Sequence, residues 1–127
     1  MPAEPVPTPN APPVGGPYSP AVRAGDWLVL AGQVGFDPAS GQMPTGVGDQ
    51  ARQALANIAT VLADCGAALT DIAKVTVFTT AIGNMAEING VYAEAFGDHR
   101  PARSTIGVAG LPAGASIEVE VWAYAPA

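Results

Sequence analysis

The stretch Asp49-Gln-Ala-Arg-Gln-Ala-Leu-Ala-Asn-Ile-Ala-Thr-Val-Leu-Ala-Asp-Cys-Gly66, followed closely by Ala73-Lys-Val-Thr-Val-Phe-Thr79, decides the fold. In the first part Ala51, Ala54, Leu55, Ile58, Val61, Leu62 and Cys65 recur at three- and four-residue steps, one apolar stripe on an amphipathic helix. Asp49 suits the start of that helix and Gly66 its end. The second part has period two: Ala73, Val75, Val77 and Thr79 on one side, Lys74, Thr76 and Phe78 on the other. A change of period from 3.6 to 2 within thirty-one residues (49–79) marks a helix that packs on a sheet rather than a bundle or an all-β fold.

The same two patterns repeat on either side. Upstream, Trp27-Leu-Val-Leu-Ala-Gly-Gln-Val-Gly-Phe36 reads as strand, closed by Asp37-Pro-Ala-Ser-Gly41, a turn ending in a left-handed glycine. Downstream, Asn84 and Glu87 have the spacing of an N-cap and its reciprocal partner. They open a second helix whose buried face is Met85, Ile88, Tyr92, Ala95 and Phe96, ended by Gly97. Strands near 102–108 and 116–124 flank the turn Leu111-Pro-Ala-Gly114. The order strands, helix, strand, helix, strands implies an α+β domain with both helices against one sheet. Residues 1–17 hold seven prolines, which bar helices and central strands. Residues 1–10 are therefore expected to form a flexible tail, and 11–127 a single domain.

Composition narrows the function. Apolar residues make up 49% of the 127, enough for one modest core. The net charge is −6, and the cations are only Arg23, Arg52, Lys74, Arg100 and Arg103. Five scattered cations make no basic stripe, so nucleic acid is not an expected partner. The lone Cys65 has no internal disulfide partner and fits a reducing compartment. The N-terminus lacks the charged start and apolar run of a secretory signal, and no segment nears the ~20 apolar residues of a membrane span. A cytoplasmic protein without membrane partner is expected.

Few residues invite chemistry. On the strand 102–108, Arg103 and Thr105 alternate onto one face with Gly107, and could address one small ligand together. A guanidinium fork matches a carboxylate in bidentate fashion, although arginines and glutamates on neighbouring strands are more commonly solvated ion pairs. On the last strand Ile117, Val119, Val121 and Ala123 form an apolar face, with Glu118, Glu120 and Trp122 opposite. Cys65 reads as core, and the single His99 gathers neither a metal cluster nor a triad around it.

Six blocks carry a resemblance over nearly the whole chain: Asn10-Ala-Pro-Pro-Val-Gly-Gly-Pro-Tyr-Ser-Pro-Ala-Val22, Leu30-Ala-Gly-Gln33, Gln50-Ala-Arg-Gln-Ala-Leu-Ala-Asn-Ile58, Pro101-Ala-Arg-Ser104, Leu111-Pro112 and Ile117-Glu-Val-Glu120. In this order and spacing they resemble the RidA/YjgF family of imine deaminases. The resemblance implies a mixed sheet with two helices packed on one face, of the chorismate-mutase-like type. It also implies homotrimers with clefts between subunits, so the apolar face from Ile117 to Ala123 is expected to be buried between chains. The implied activity is hydrolysis of 2-imino acids, or their enamine tautomers, to 2-keto acids and ammonia, without metal or cofactor. Carried over by position, the family's essential arginine falls on Arg103, which would hold the substrate carboxylate. Its last-strand acid falls on Glu118, which would position or deprotonate water. Tyr18 and Asn89 would line the substrate site. Ala31 stands where archetypes have serine, Thr105 where they often have cysteine, and the 97–100 loop is shorter; these departures bear on substrate preference. A non-catalytic sensor of small carboxylates would need the same arginine, and some members are described as ribonucleases or translation inhibitors.

Overall fold

The computed structural model describes residues 2–127. Six strands form one mixed sheet: β1 (Glu4–Pro5), β2 (Ala21–Ala24), β3 (Trp27–Leu30), β4 (Ile72–Thr79), β5 (Ala102–Gly107) and β6 (Ile117–Tyr124), in the spatial order β1-β2-β3-β6-β4-β5. All pairs are antiparallel except β4 with β5, which are joined through a helix as parallel neighbours require. The helices are α1 (Val47–Asp64) and α2 (Met85–Phe96); they pack on each other, and α1 lies on β6. Among the described residues no helix is long and apolar enough to cross a membrane.

The α1 stripe is buried as its periodicity demands, with Ala51, Ala54, Leu55, Ile58, Val61 and Leu62 all in the core. Beneath it lie Leu28 and Leu30 of β3, Ile72, Val75 and Val77 of β4, and Ile117, Val119, Val121 and Ala123 of β6. The apolar face of β6 is therefore inside this chain's own core, not between subunits: α1 covers it. The opposite face of the sheet is left open and carries Trp27, Trp122 and Tyr124. Trp27 meets Trp122 and Tyr124 edge to face, at centroid distances of 6.3 and 5.2 Å.

Several local expectations are corrected. Helix α1 starts at Val47 after Gly46, whose φ of 90° no other residue adopts readily; Asp49 lies inside the first turn and pairs with Arg52 at 2.7 Å rather than capping. Asn84 does sit at the start of α2 but makes no side-chain cap, and Glu87 leans instead against Gly48 of α1. Val91, not Ala95, completes the buried face of α2, because α2 turns its Val91 side toward the core. In β4 the register shifts between Ile72 and Lys74, so Ile72 points inward and Ala73 is exposed. The run from Trp27 to Phe36 is strand only to Leu30, and resumes pairing at a single bridge, Gln33 with Val119. Gly66, with φ of 77°, ends α1 as expected, beside the Ala67 N–H that bonds the Leu62 carbonyl.

The proline-rich start is also placed differently. Glu4 and Pro5 pair with Arg23 and Val22 at the sheet's edge, and Val6 donates to the Ala21 carbonyl at 3.0 Å. Proline is compatible with an edge strand because one flank needs no donor. Farther on, Asn10 donates to Asp64 from both its backbone N–H (2.9 Å) and its side chain (2.7 Å), tying the segment to the end of α1. Within the expected tail, residues 4–6 and Asn10 are thus tied to the domain.

Candidate functional site

Where strand pairing leaves off after Leu30, the backbone turns away from the sheet and forms one wall of an open cavity of about 340 Å³. Tyr18, Gly32, Gln33, Phe36, Pro112 and Glu118 are among the residues lining it. Glu118 projects from the open face of β6, opposite the core residues Ile117 and Val119. Its carboxyl lies directly over Gly32, where a Cβ would collide with it, so the glycine makes room for the acid. Partial burial, with a smaller contribution from Glu120, pushes the Glu118 carboxyl above the usual carboxylate range. No hydrogen bond or ion pair to this carboxyl is made among the described residues.

A carboxyl whose folded pKa lies above its unfolded one stabilises the fold fully at low pH and loses this contribution as pH rises through the folded value. Relative to Glu118→Gln, the native chain should therefore be favoured more at pH 4 than at pH 8, and the variant should be no less stable at pH 8. Melting temperatures of both proteins across this range measure the difference; an advantage of the native chain that grows with pH would contradict the assignment.

Arg103 stands elsewhere. It pairs in register with Val75, and Thr105 pairs with Val77, so both side chains share the helix-bearing side of the sheet. Glu118 pairs with Phe78, on the open side. The face of β5 that carries Arg103 and Thr105 is thus the helix side, and Ala102, Ser104 and Ile106 are exposed on the open one. At this edge of the sheet, α2 offers a tyrosine rather than an aliphatic cover: the Arg103 guanidinium carbon lies 4.7 Å from the centre of the Tyr92 ring. Among the described residues Arg103 forms no salt bridge, and the one ion pair is Arg52 with Asp49. Asn89 is exposed on α2, one turn before Tyr92.

The residues singled out from the sequence therefore divide into two groups. Tyr18 and Glu118 share the cavity; Arg103, Thr105 and Asn89 belong to the helix-side edge. Two faces of a sheet are separated by the sheet itself, so one small molecule cannot touch both groups within one chain. Among the described residues no three His, Cys, Asp or Glu side chains gather as metal ligands.

Two supporting residues were not singled out from the sequence. Asn57 is buried and donates to the carbonyls of Val34 (3.0 Å) and Phe36 (2.8 Å), and accepts from Gln53. Gln50, also buried, donates to the Pro44 carbonyl and accepts from the Ser116 N–H at 2.7 Å. Together they fasten the cavity wall and the start of β6 to α1. Their signal was present: both amides fall seven residues apart, on the helix face that the apolar stripe buries.

The architecture agrees with comparisons to known proteins. Residues 8–125 match the family model described as Endoribonuclease L-PSP. A RutC family protein of Pyrococcus horikoshii is 45% identical over 118 residues, 92% of this chain and 94% of the relative. The 2-iminobutanoate/2-iminopropanoate deaminase of Bos taurus is 42% identical over 114 residues, 89% of this chain and 83% of that protein. The crystal structure of the YjgF gene product from E. coli superposes with a TM-score of 0.91 at 36% identity, covering 95% of this chain and 98% of that one. With sequence matched almost end to end and the two-helix, six-stranded fold in common, the chain belongs to the RidA/YjgF family.

Proposed function

We propose that this protein is a hydrolytic deaminase of reactive 2-imino acids, converting 2-iminopropanoate and 2-iminobutanoate to the 2-keto acids and ammonia. The observation that carries the reading is Arg103, a guanidinium at the sheet's edge with no carboxylate partner among the described residues. A planar fork left free in this way suits a substrate carboxylate. Relatives about 42% identical that are named for this activity support the same reaction class.

In this reading Arg103 holds the carboxylate and fixes the direction from which the C=N carbon is approached. On the protonated imine, ionised Glu118 takes a proton from water as the oxygen attacks that carbon, and the C=N electron pair goes to nitrogen, giving a neutral carbinolamine. Glu118 then returns its proton to that nitrogen; the C–N bond breaks, ammonia leaves, and the hydroxyl proton passes to the Glu118 carboxylate as the C=O forms. A carboxyl titrating above its usual range suits this two-way proton traffic. Tyr18 and Glu118 line the same cavity, Thr105 shares the face of Arg103, and Asn89 would support the site from α2. No metal or cofactor is called for, since the step asks mainly for positioning and a proton path.

Because Arg103 and Glu118 lie on opposite faces of one sheet, the reading requires a second copy: Glu118 of one chain would meet Arg103 of its neighbour in a homotrimer. Sedimentation at micromolar concentration should give a trimer, and a monomer would leave the two groups apart. A cytoplasmic location is part of the proposal, in keeping with the single cysteine. Although the family model bears an endoribonuclease description, a net charge of −6 disfavours phosphate backbones. The deciding assay generates 2-iminobutanoate in situ and follows its loss with and without the protein. Faster loss with equimolar 2-keto acid supports the enzyme. An unchanged rate, with small acids still bound, leaves a sensor.

A further inference from the structure

We propose that Tyr92 is the positioning residue for Arg103, holding the guanidinium in place while leaving its hydrogen-bond donors free for a substrate carboxylate. The inference rests on the reading of Arg103 as the carboxylate-binding group. Three observations carry it. Arg103 has no acidic partner among the described residues, yet its guanidinium carbon lies 4.7 Å from the Tyr92 ring centre. Tyr92 is itself buried, only 8% exposed, and its hydroxyl makes no hydrogen bond among the described residues. The ring is braced by Phe96 at a centroid distance of 4.6 Å, Phe96 is followed by His99 at 6.1 Å, and the His99 ring bonds the backbone oxygen of Ile72 at 2.8 Å. The contact surface under the arginine is thus anchored to both α2 and β4.

An arginine can be fixed in two ways. A salt bridge to a protein acid would hold the side chain but occupy the fork that a ligand carboxylate must use. Attraction to an aromatic face acts on the cation's charge and consumes none of its five N–H donors. A long, flexible side chain on an edge strand gains a defined position, and its donors stay available. The unpartnered hydroxyl points the same way: with no bond to contribute, the ring is the part of Tyr92 that acts on Arg103.

The test combines kinetics with a signal from the arginine itself. The chain has four arginines (Arg23, Arg52, Arg100 and Arg103), so the side-chain Nε–Hε resonance lost in Arg103→Ala identifies Arg103. In the native protein that proton should be shifted upfield by the ring current of Tyr92, and Tyr92→Phe should keep the shift. Tyr92→Phe should also keep the KM for 2-iminobutanoate within about twofold and be no less stable, since it removes only an unbonded hydroxyl. Tyr92→Leu should abolish the upfield shift and raise KM roughly two- to thirtyfold with little change in kcat, the pattern of weakened binding common to ground and transition states. An unshifted Hε in the native protein overturns the proposal without recourse to any variant, so it stays testable even if Tyr92→Leu does not fold. A folded Tyr92→Leu with native KM also overturns it, while leaving the role of Arg103 intact. Full activity in Arg103→Ala would instead remove the carboxylate role on which the proposal rests.

Discussion

Replacing Arg103 by alanine is expected to lower kcat/KM for imine hydrolysis by about thirtyfold to several-thousandfold, the equivalent of about 2–5 kcal/mol for a charge-assisted pair in a sheltered cleft. The fold should survive, since Arg103 forms no ion pair among the described residues and meets Tyr92 through a cation–π contact. Arg103→Lys should recover little, because an ammonium is a point charge and cannot reproduce a planar two-bond grip. Glu118→Gln should retain carboxylate binding but slow turnover, which separates the clamp from the handling of water. Thr105→Ala should be milder than either, removing one neutral hydrogen bond of about 1 kcal/mol. Kinetics on 2-iminopropanoate and 2-iminobutanoate, with circular dichroism on each variant, read all of these outcomes. Undiminished activity in Arg103→Ala would end the proposal, and so would its unfolding, which would make the arginine structural.

The largest effect on stability is expected from Asn57→Ala. This side chain is 1% exposed and its amide satisfies two backbone carbonyls, those of Val34 and Phe36, that no strand pairing reaches. Orphaned buried acceptors cost about 1–3 kcal/mol each, and these two carbonyls are partly buried, so a loss of about 2–4 kcal/mol is expected with the buried Asn57 side chain removed. For a domain of this size that is a fall in melting temperature on the order of 10 °C. Phe36 lines the cavity, so substrate binding should weaken as well. Asn57→Asp should not rescue, because a carboxylate cannot donate to carbonyls. Thermal melts that leave Asn57→Ala within about 1 °C of the native protein would show that the loop is held by other means.

Both helices, the strands β4 and β6 and the alternation of β5 were legible in the sequence, because their side chains repeat at the periods that burial imposes on one face. The α1 stripe was right nearly residue by residue, and Gly66 ended the helix where a positive φ was needed. The family was legible from motif order, and the comparisons bear it out. Capping was not, since whether Asp49 or Asn84 bonds a backbone N–H depends on where the preceding loop enters, a matter of a residue or two. Nor was the strand bulge at Ile72–Lys74, which moves one position across the sheet without altering the alternation beyond it.

What only the tertiary structure decided is which face meets which neighbour. Period two sorts residues into two sets but does not say which set is covered. The sequence divided β6 correctly into Ile117, Val119, Val121 and Ala123 against Glu118, Glu120 and Trp122; packing assigned the apolar set to this chain's own helix α1. It likewise placed Arg103 with Thr105 on one face of β5, while the parallel pairing with β4 put that face on the helix side, against Tyr92 and away from Glu118. Local patterns follow from the chemistry of neighbours a few residues apart. The relation between Arg103 and Glu118 depends on strand order and on contacts between residues distant along the chain, which no local period encodes.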